Sequence, residues 1–233
     1  MNQSLGILGG LGPLASAEFL KTIYEFNMTD LEQQSPICIL YSDPTFPDRT
    51  DAILSGADDL LVSLLIDSLE KLFHLGVSKV VIVCVTIHYF LPKVPAPFRK
   101  KIISLVDLIV KEILATDQKH LLLCTNATIK TGIFKKHEQW HLLEQCVLLP
   151  DDEDQKRLQN LIYEIKINPD QNHLLNYLSK LAHKYNIDSL IAGCTELHIL
   201  NKKLMKSPHK RQNYQMIDPL VTIAKKLNHF MNI

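Results

Sequence analysis

The sequence predicts an α/β protein of two pseudo-symmetric lobes, each three-layered (α/β/α) around a mainly parallel sheet. Three observations carry this. Short apolar runs alternate with amphipathic helical segments, the pattern of a parallel sheet covered by helices. One unit occurs twice: Lys79-Val80-Val81-Ile82-Val83-Cys84-Val85-Thr86-Ile87-His88 and, 110 residues on, Ser189-Leu190-Ile191-Ala192-Gly193-Cys194-Thr195-Glu196-Leu197-His198. Finally, the residues able to do chemistry stand at the carboxyl ends of predicted strands, where open α/β sheets bind ligands.

In chain order, Leu5 to Gly10 reads as a strand running into Gly9-Gly10-Leu11-Gly12-Pro13, with a helix from about Leu14 to Met28 and Pro13 in its first turn. Ile37 to Ser42 is a second strand, followed by a polar, proline-bounded loop, residues 45–51. Ser55 to Leu75 has helical periodicity, with Leu60, Leu61, Leu64, Leu65, Leu69 and Leu72 on one side. The strand ending at Cys84 follows. Pro92, Pro95 and Pro97 interrupt the chain before a helix from about Phe98 to Ala115. In the second half, strands are expected at Lys119–Cys124, Glu144–Leu149 and Tyr214–Ile217. Helices are expected at Thr131–Trp140, from the acidic run at Asp151 to about Ile165, at Asn168–Tyr185, and from Pro219 to Phe230. Residues 202–211 read as a basic, polar connector. Gly76 and Asn186 share the 110-residue offset, and both suit the left-handed position that ends a helix. The lobes are expected at 1–115 plus about 212–233, and at 116–211, with the terminal helix folding back on the first half.

Composition narrows the function. Lys+Arg 25 balances Asp+Glu 25, against the basic excess of a nucleic-acid-binding surface. No apolar run reaches the ~20 residues of a membrane span, and Met1-Asn2-Gln3-Ser4 does not open a secretory signal. A cytoplasmic protein with no nucleic-acid or membrane partner is expected. Five widely spaced cysteines, with no Cys-x-x-Cys, fit reduced thiols rather than a disulfide framework or metal site.

Cys38, Cys124 and Cys146 read as small apolar residues. The duplication separates Cys84 and Cys194 from them. Each ends a strand before a helical segment, where backbone N–H groups favour a thiolate. Two thiols facing each other across a cleft suit proton abstraction from one face of a carbon and delivery to the other, an inversion that needs no cofactor. His88 and His198, four residues after each cysteine, either activate the thiols or cap and pack. Thr86, Thr195 and Glu196 are candidates to orient the thiols or hold substrate. Gly10-Leu11-Gly12-Pro13-Leu14-Ala15 fits G-x-G-x-x-A, a dinucleotide signature. The acidic residue closing the second strand, Asp43, comes about thirty residues on rather than ~20, and the same loop can hold a carboxylate. Arg49 is suited to bidentate carboxylate binding; Lys166 also suits a helix C-terminus.

Taken together, Gly6-Ile7-Leu8-Gly9-Gly10-Leu11-Gly12-Pro13, Pro47-Asp48-Arg49-Thr50, Cys84-Val85-Thr86-Ile87-His88 and Gly193-Cys194-Thr195-Glu196-Leu197 resemble the cofactor-independent aspartate/glutamate racemase superfamily, aspartate racemases above all. Residues 125–132, 149–155 and 162–166 fit as well, so the resemblance spans nearly the whole chain. It implies an isomerase with its active site in the cleft between the two lobes, Cys84 and Cys194 as acid and base and no pyridoxal phosphate, acting on a small amino acid, as a homodimer. It implies that Arg49 and Lys166 bind and select an acidic substrate, and that Gly10, Thr128 and Thr195 line the site. The usual Cys-Asn-Thr-Ala-His reads Cys-Val-Thr-Ile-His here: Val85 and Ile87 depart, and Val85 lacks the amide that holds the substrate's head group. Ser16 also stands where the first loop commonly has Thr. Aspartate is the expected substrate, with glutamate, another amino acid, a related isomerisation, or carboxylate binding without turnover as alternatives.

Overall fold

The fold is that of a computed structural model describing residues 3–170, 172–206 and 214–232. The first lobe holds β1 (Ser4–Gly9), α1 (Pro13–Phe26), β2 (Ile37–Ser42), α2 (Arg49–Ser55), α3 (Asp59–His74), β3 (Lys79–Ile82), α4 (Ala96–Arg99), β4 (Ile102–Ile103) and α5 (Leu105–Leu114). The second holds β5 (His120–Leu123), α6 (Asn126–Thr131), β6 (Val147–Leu148), α7 (Asp152–Ile167), α8 (Asn172–Lys184), β7 (Ser189–Ala192), α9 (Glu196–Lys206) and β8 (Gln215–Ile217), followed by α10 (Pro219–Lys225) and α11 (Leu227–Met231). The sheets run β2-β1-β3-β4 and β6-β5-β7-β8, and every pairing is parallel. The two lobes therefore repeat one topology. Gly76 (φ 80°) and Asn186 (φ 49°) both take the left-handed position expected of them, so the repeat extends to the turns that feed β3 and β7.

Alternation along β3 sorts its side chains between two cores. Val81, Val83 and Val85 join an apolar cluster that also takes in α1, α5 and most of the second lobe. Val80, Ile82 and Cys84 face the other way, onto α3. There Leu61, Leu65, Leu69 and Leu72 are fully buried, each stabilising by about 2 kcal/mol. Leu60, expected on that stripe, is 57% exposed, since it falls at the edge of the helical arc.

Several boundaries differ from expectation. The segment 98–115 is not one helix: Ile102–Ile103 pair with Val80 and Val81 as β4, and Ser104 then caps α5 by accepting from the Asp107 N–H. The helix expected at 131–140 forms earlier, because Thr125 caps α6 and Gly132 ends it in a left-handed turn. The basic segment 202–211 begins as helix, since α9 continues to Lys206; positions 207–211 lie outside the described residues. Gln215–Ile217 pairs with β7 in the second sheet, whereas α10 packs on α1 and α5 of the first lobe. The terminal segment is thus shared between the lobes.

Helices α1 with α9 and α10, and α2 with α6, make the joint between the lobes. Among the described residues no helix is long and apolar enough to cross a membrane.

Candidate active site

Cys84 and Cys194 each lie two residues beyond their strand, after β3 and β7, and each is buried. The chain after Cys84 tightens into a 3₁₀ helix, Thr86–Lys93, which contains Pro92; after Cys194 it enters α9. The two thiols lie within electrostatic reach of one another, and their surroundings differ. Burial pushes the Cys84 thiol up from its ordinary 9.0, while Arg49 and Lys166 draw it back and Glu196 opposes them. Burial raises Cys194 well above 9.0, and the charge and hydrogen bond of Glu196 add to it. Cys194 Sγ donates to Glu196 Oε2 over 2.8 Å.

Asp48 and Arg49 stand together at the start of α2. Asp48 caps the helix, its Oδ1 accepting from the N–H of Thr50 (2.8 Å) and Asp51 (3.1 Å). The same carboxylate takes Tyr163 Oη at 3.0 Å and Lys166 Nζ at 3.3 Å from α7. Burial opposes ionisation of Asp48, but Lys166 and these donors hold its carboxyl below the usual range. Tyr163 and Lys166 lie on one face of α7, three residues apart, with the Lys166 ammonium 4.5 Å from the Tyr163 ring centre. Arg49 is 9% exposed. Its Nη1 and Nη2 donate to the carbonyls of Pro47 and Leu11, and its Nε is buried without a partner. Those contacts are to neutral carbonyls, and the Asp48 carboxylate and the Cys84 sulfur lie within electrostatic reach of its charge.

Thr86, Thr125 and Thr128 form a buried triangle of hydroxyls, with Oγ1 separations of 3.0 to 3.1 Å. It ties the segment after Cys84 to the start of α6 across the lobes. Thr195 Oγ1 donates to the Val83 carbonyl at 3.2 Å, binding the second cysteine segment to the first. Val85 is 1% exposed and belongs to the apolar cluster that contains Cys194 and Leu197.

Neither histidine contacts a thiol sulfur among its hydrogen bonds. His88 Nε2 accepts from the Leu105 N–H at 3.1 Å, which leaves Nδ1–H to donate to the Cys84 carbonyl at 2.8 Å. Burial drives this imidazole down to about 4, so it is a neutral ring pinning α5 to the cysteine turn. His198 Nδ1 meets Asp218 Oδ2 at 2.8 Å, and its Nε2 meets Thr22 Oγ1 at 3.0 Å. It joins α9, α10 and α1 rather than activating Cys194.

The glycine loop also serves the protein itself. Gly10 (φ 87°) lies so close to the backbone of Asp43 that any Cβ would clash. At Gly12 a Cβ would overlap Glu196 Oε1. The spacing that imitates a dinucleotide signature is therefore explained by a strand-to-loop contact and by a carboxylate reaching across from α9. Sequence reasoning overlooked Asp48, Tyr163, Thr125 and Asp218. The available signals were a capping Asp before α2 and the i, i+3 spacing of Tyr163 and Lys166.

Duplicated parallel α/β lobes define the fold class, and known proteins share it. The sequence model of the Asp/Glu/hydantoin racemase family matches residues 8–227. The broad specificity amino-acid racemase RacX of Bacillus subtilis is 24% identical over 229 residues, covering 95% of each chain. An aspartate racemase from Picrophilus torridus superposes with a TM-score of 0.77 at 22% identity, covering 99% of this chain and 100% of that one. Glutamate racemase from Campylobacter jejuni superposes with a TM-score of 0.62 at 19% identity, covering 97% and 85%. The chain belongs to the Asp/Glu/hydantoin racemase family, which supports an isomerase of the amino-acid racemase type.

Proposed function

We propose that the protein is a pyridoxal-phosphate-independent racemase of an acidic amino acid, aspartate first, working by two-base proton transfer between Cys84 and Cys194. The observation that carries this is the pair of buried thiols at corresponding positions of a repeated lobe, one near a buried arginine and the other bonded to a carboxylate. One thiolate removes the α-proton and the opposite thiol returns a proton to the other face. Arg49, with an unpartnered buried Nε, receives a substrate carboxylate. Lys166, held by Asp48, supplies the second positive charge. Thr86, Thr128 and Thr195 offer hydroxyls for the head group.

Incubating L-aspartate without added cofactor in deuterated water should give D-aspartate carrying deuterium at Cα, and Cys84→Ala and Cys194→Ala should each abolish conversion. No exchange with either aspartate or glutamate refutes this substrate class. A second reading, an amino acid without an acidic side chain, draws on Val85 and Ile87 beside Cys84 and on the breadth stated for the Bacillus subtilis relative. A panel of L-amino acids in the same assay separates the two.

A further inference from the structure

We infer that Glu196 is a catalytic residue that keeps Cys194 protonated between turnovers, so that Cys84 is the thiolate that begins them. The inference rests on the racemase reading for its meaning in turnover, and on geometry for the state of the thiols. Glu196 is 4% exposed in the first turn of α9, and its Oε2 accepts the Cys194 S–H at 2.8 Å. On the other side, Gly12 of the first lobe closes against Oε1, so that a Cβ there would overlap this oxygen unless the Glu196 side chain moved. The carboxylate is thus walled in beside the sulfur.

Ionising Cys194 sets two buried anions against each other, an arrangement that strongly favours keeping one proton. The groups acting on Cys194 are Glu196 and Cys84. Those acting on Cys84 are Arg49, Glu196 and Lys166, two cations against one anion. The single negative charge of the thiol pair therefore belongs on Cys84.

Turnover follows from that state. The Cys84 thiolate takes the α-proton and becomes a thiol, leaving the C–H electron pair on Cα. The Cys194 S–H breaks, its proton forms the new C–H bond on the opposite face, and its electrons remain on sulfur. Product leaves behind a neutral Cys84 and a Cys194 thiolate against Glu196. That state relaxes as Cys194 takes a proton from solvent and Cys84 releases one. Because racemisation has an equilibrium constant of one, kcat/KM is the same for both enantiomers whatever the resting state, so the asymmetry must be read from the thiols.

The test is a thiolate-absorbance titration of the substrate-free chain and of its Cys84→Ser and Cys194→Ser variants, each repeated with Glu196→Gln. Alkylation by iodoacetamide across pH, with the modified cysteine located by peptide mass spectrometry, supports it. Cys84 should ionise at lower pH than Cys194, and Glu196→Gln should bring Cys194 down by about one pH unit or more while moving Cys84 less. A Cys194 profile unmoved by Glu196→Gln, or one lying below that of Cys84, overturns the inference. No substrate enters this titration. The expected profiles without racemisation of any amino acid would count against the racemase reading alone.

Discussion

Removing the Asp218 side chain should cost more stability than any surface substitution, because four bonds converge on one buried carboxylate. Asp218 is 3% exposed. Its Oδ1 caps α10 by accepting from the N–H of Leu220 (3.0 Å) and Val221 (3.3 Å). Its Oδ2 accepts from His198 Nδ1 (2.8 Å) and Asn201 Nδ2 (2.9 Å) of α9. Loss of the helix cap accounts for about 1 kcal/mol, and leaving the buried His198 and Asn201 donors without their acceptor for about 1–3 kcal/mol each. Asp218→Ala should therefore lose about 5 kcal/mol, and the melting temperature of a chain this size should fall by roughly 10–20 °C. Asp218→Asn keeps the cap and loses the charge, so it should recover about 1 kcal/mol of that. Urea unfolding followed by circular dichroism measures both. A loss under about 1 kcal/mol for Asp218→Ala, the worth of an exposed ion pair, would refute the account. The pH dependence has a defined sign. Burial opposes ionisation of Asp218, but His198, Asn201 and the Val221 N–H outweigh it and lower its carboxyl from 3.8. Its stabilisation is complete above that pH and lost as pH falls through the lower folded value.

Two further outcomes are expected. Arg49→Lys removes the planar fork next to Cys84 and should raise KM for an acidic substrate by about 10–100-fold, with a smaller change for a neutral amino acid; equal changes for both would remove Arg49 from substrate recognition. His88, with a folded value of about 4 against 6.5, stabilises fully above pH 6.5 and loses that contribution as pH falls toward 4. His88→Asn should therefore unfold with a flatter pH dependence than the parent between those values, and identical slopes would refute its neutral role.

The candidate site divides in the same way as the fold between what is local and what is not. Cys84 and Cys194 are legible because the duplication is a matter of one-dimensional spacing, and the turns at Gly76 and Asn186 repeat it. His88 and His198 share that spacing, yet beyond the local bond of His88 to the Cys84 carbonyl both are used up by partners 17 to 176 residues away: Leu105, Asp218 and Thr22. Asp48 reads as a helix cap in the sequence, but its bonds to Tyr163 and Lys166 span 115 and 118 residues.

The sequence by itself determined the alternation of strand and helix, the repeat, the parallel sheets and the two cysteines, since periods of two and 3.6 residues and the αL preference of Gly and Asn act over a few neighbours. Tertiary structure decided the rest. It placed β8 in the second sheet and α10 against the first lobe. It set Glu196, and neither histidine, against a thiol, and it gave Gly12 its reason by bringing a carboxylate from the far lobe onto it. Those outcomes depend on how two separately patterned lobes pack together, and no local pattern encodes which side chains then meet.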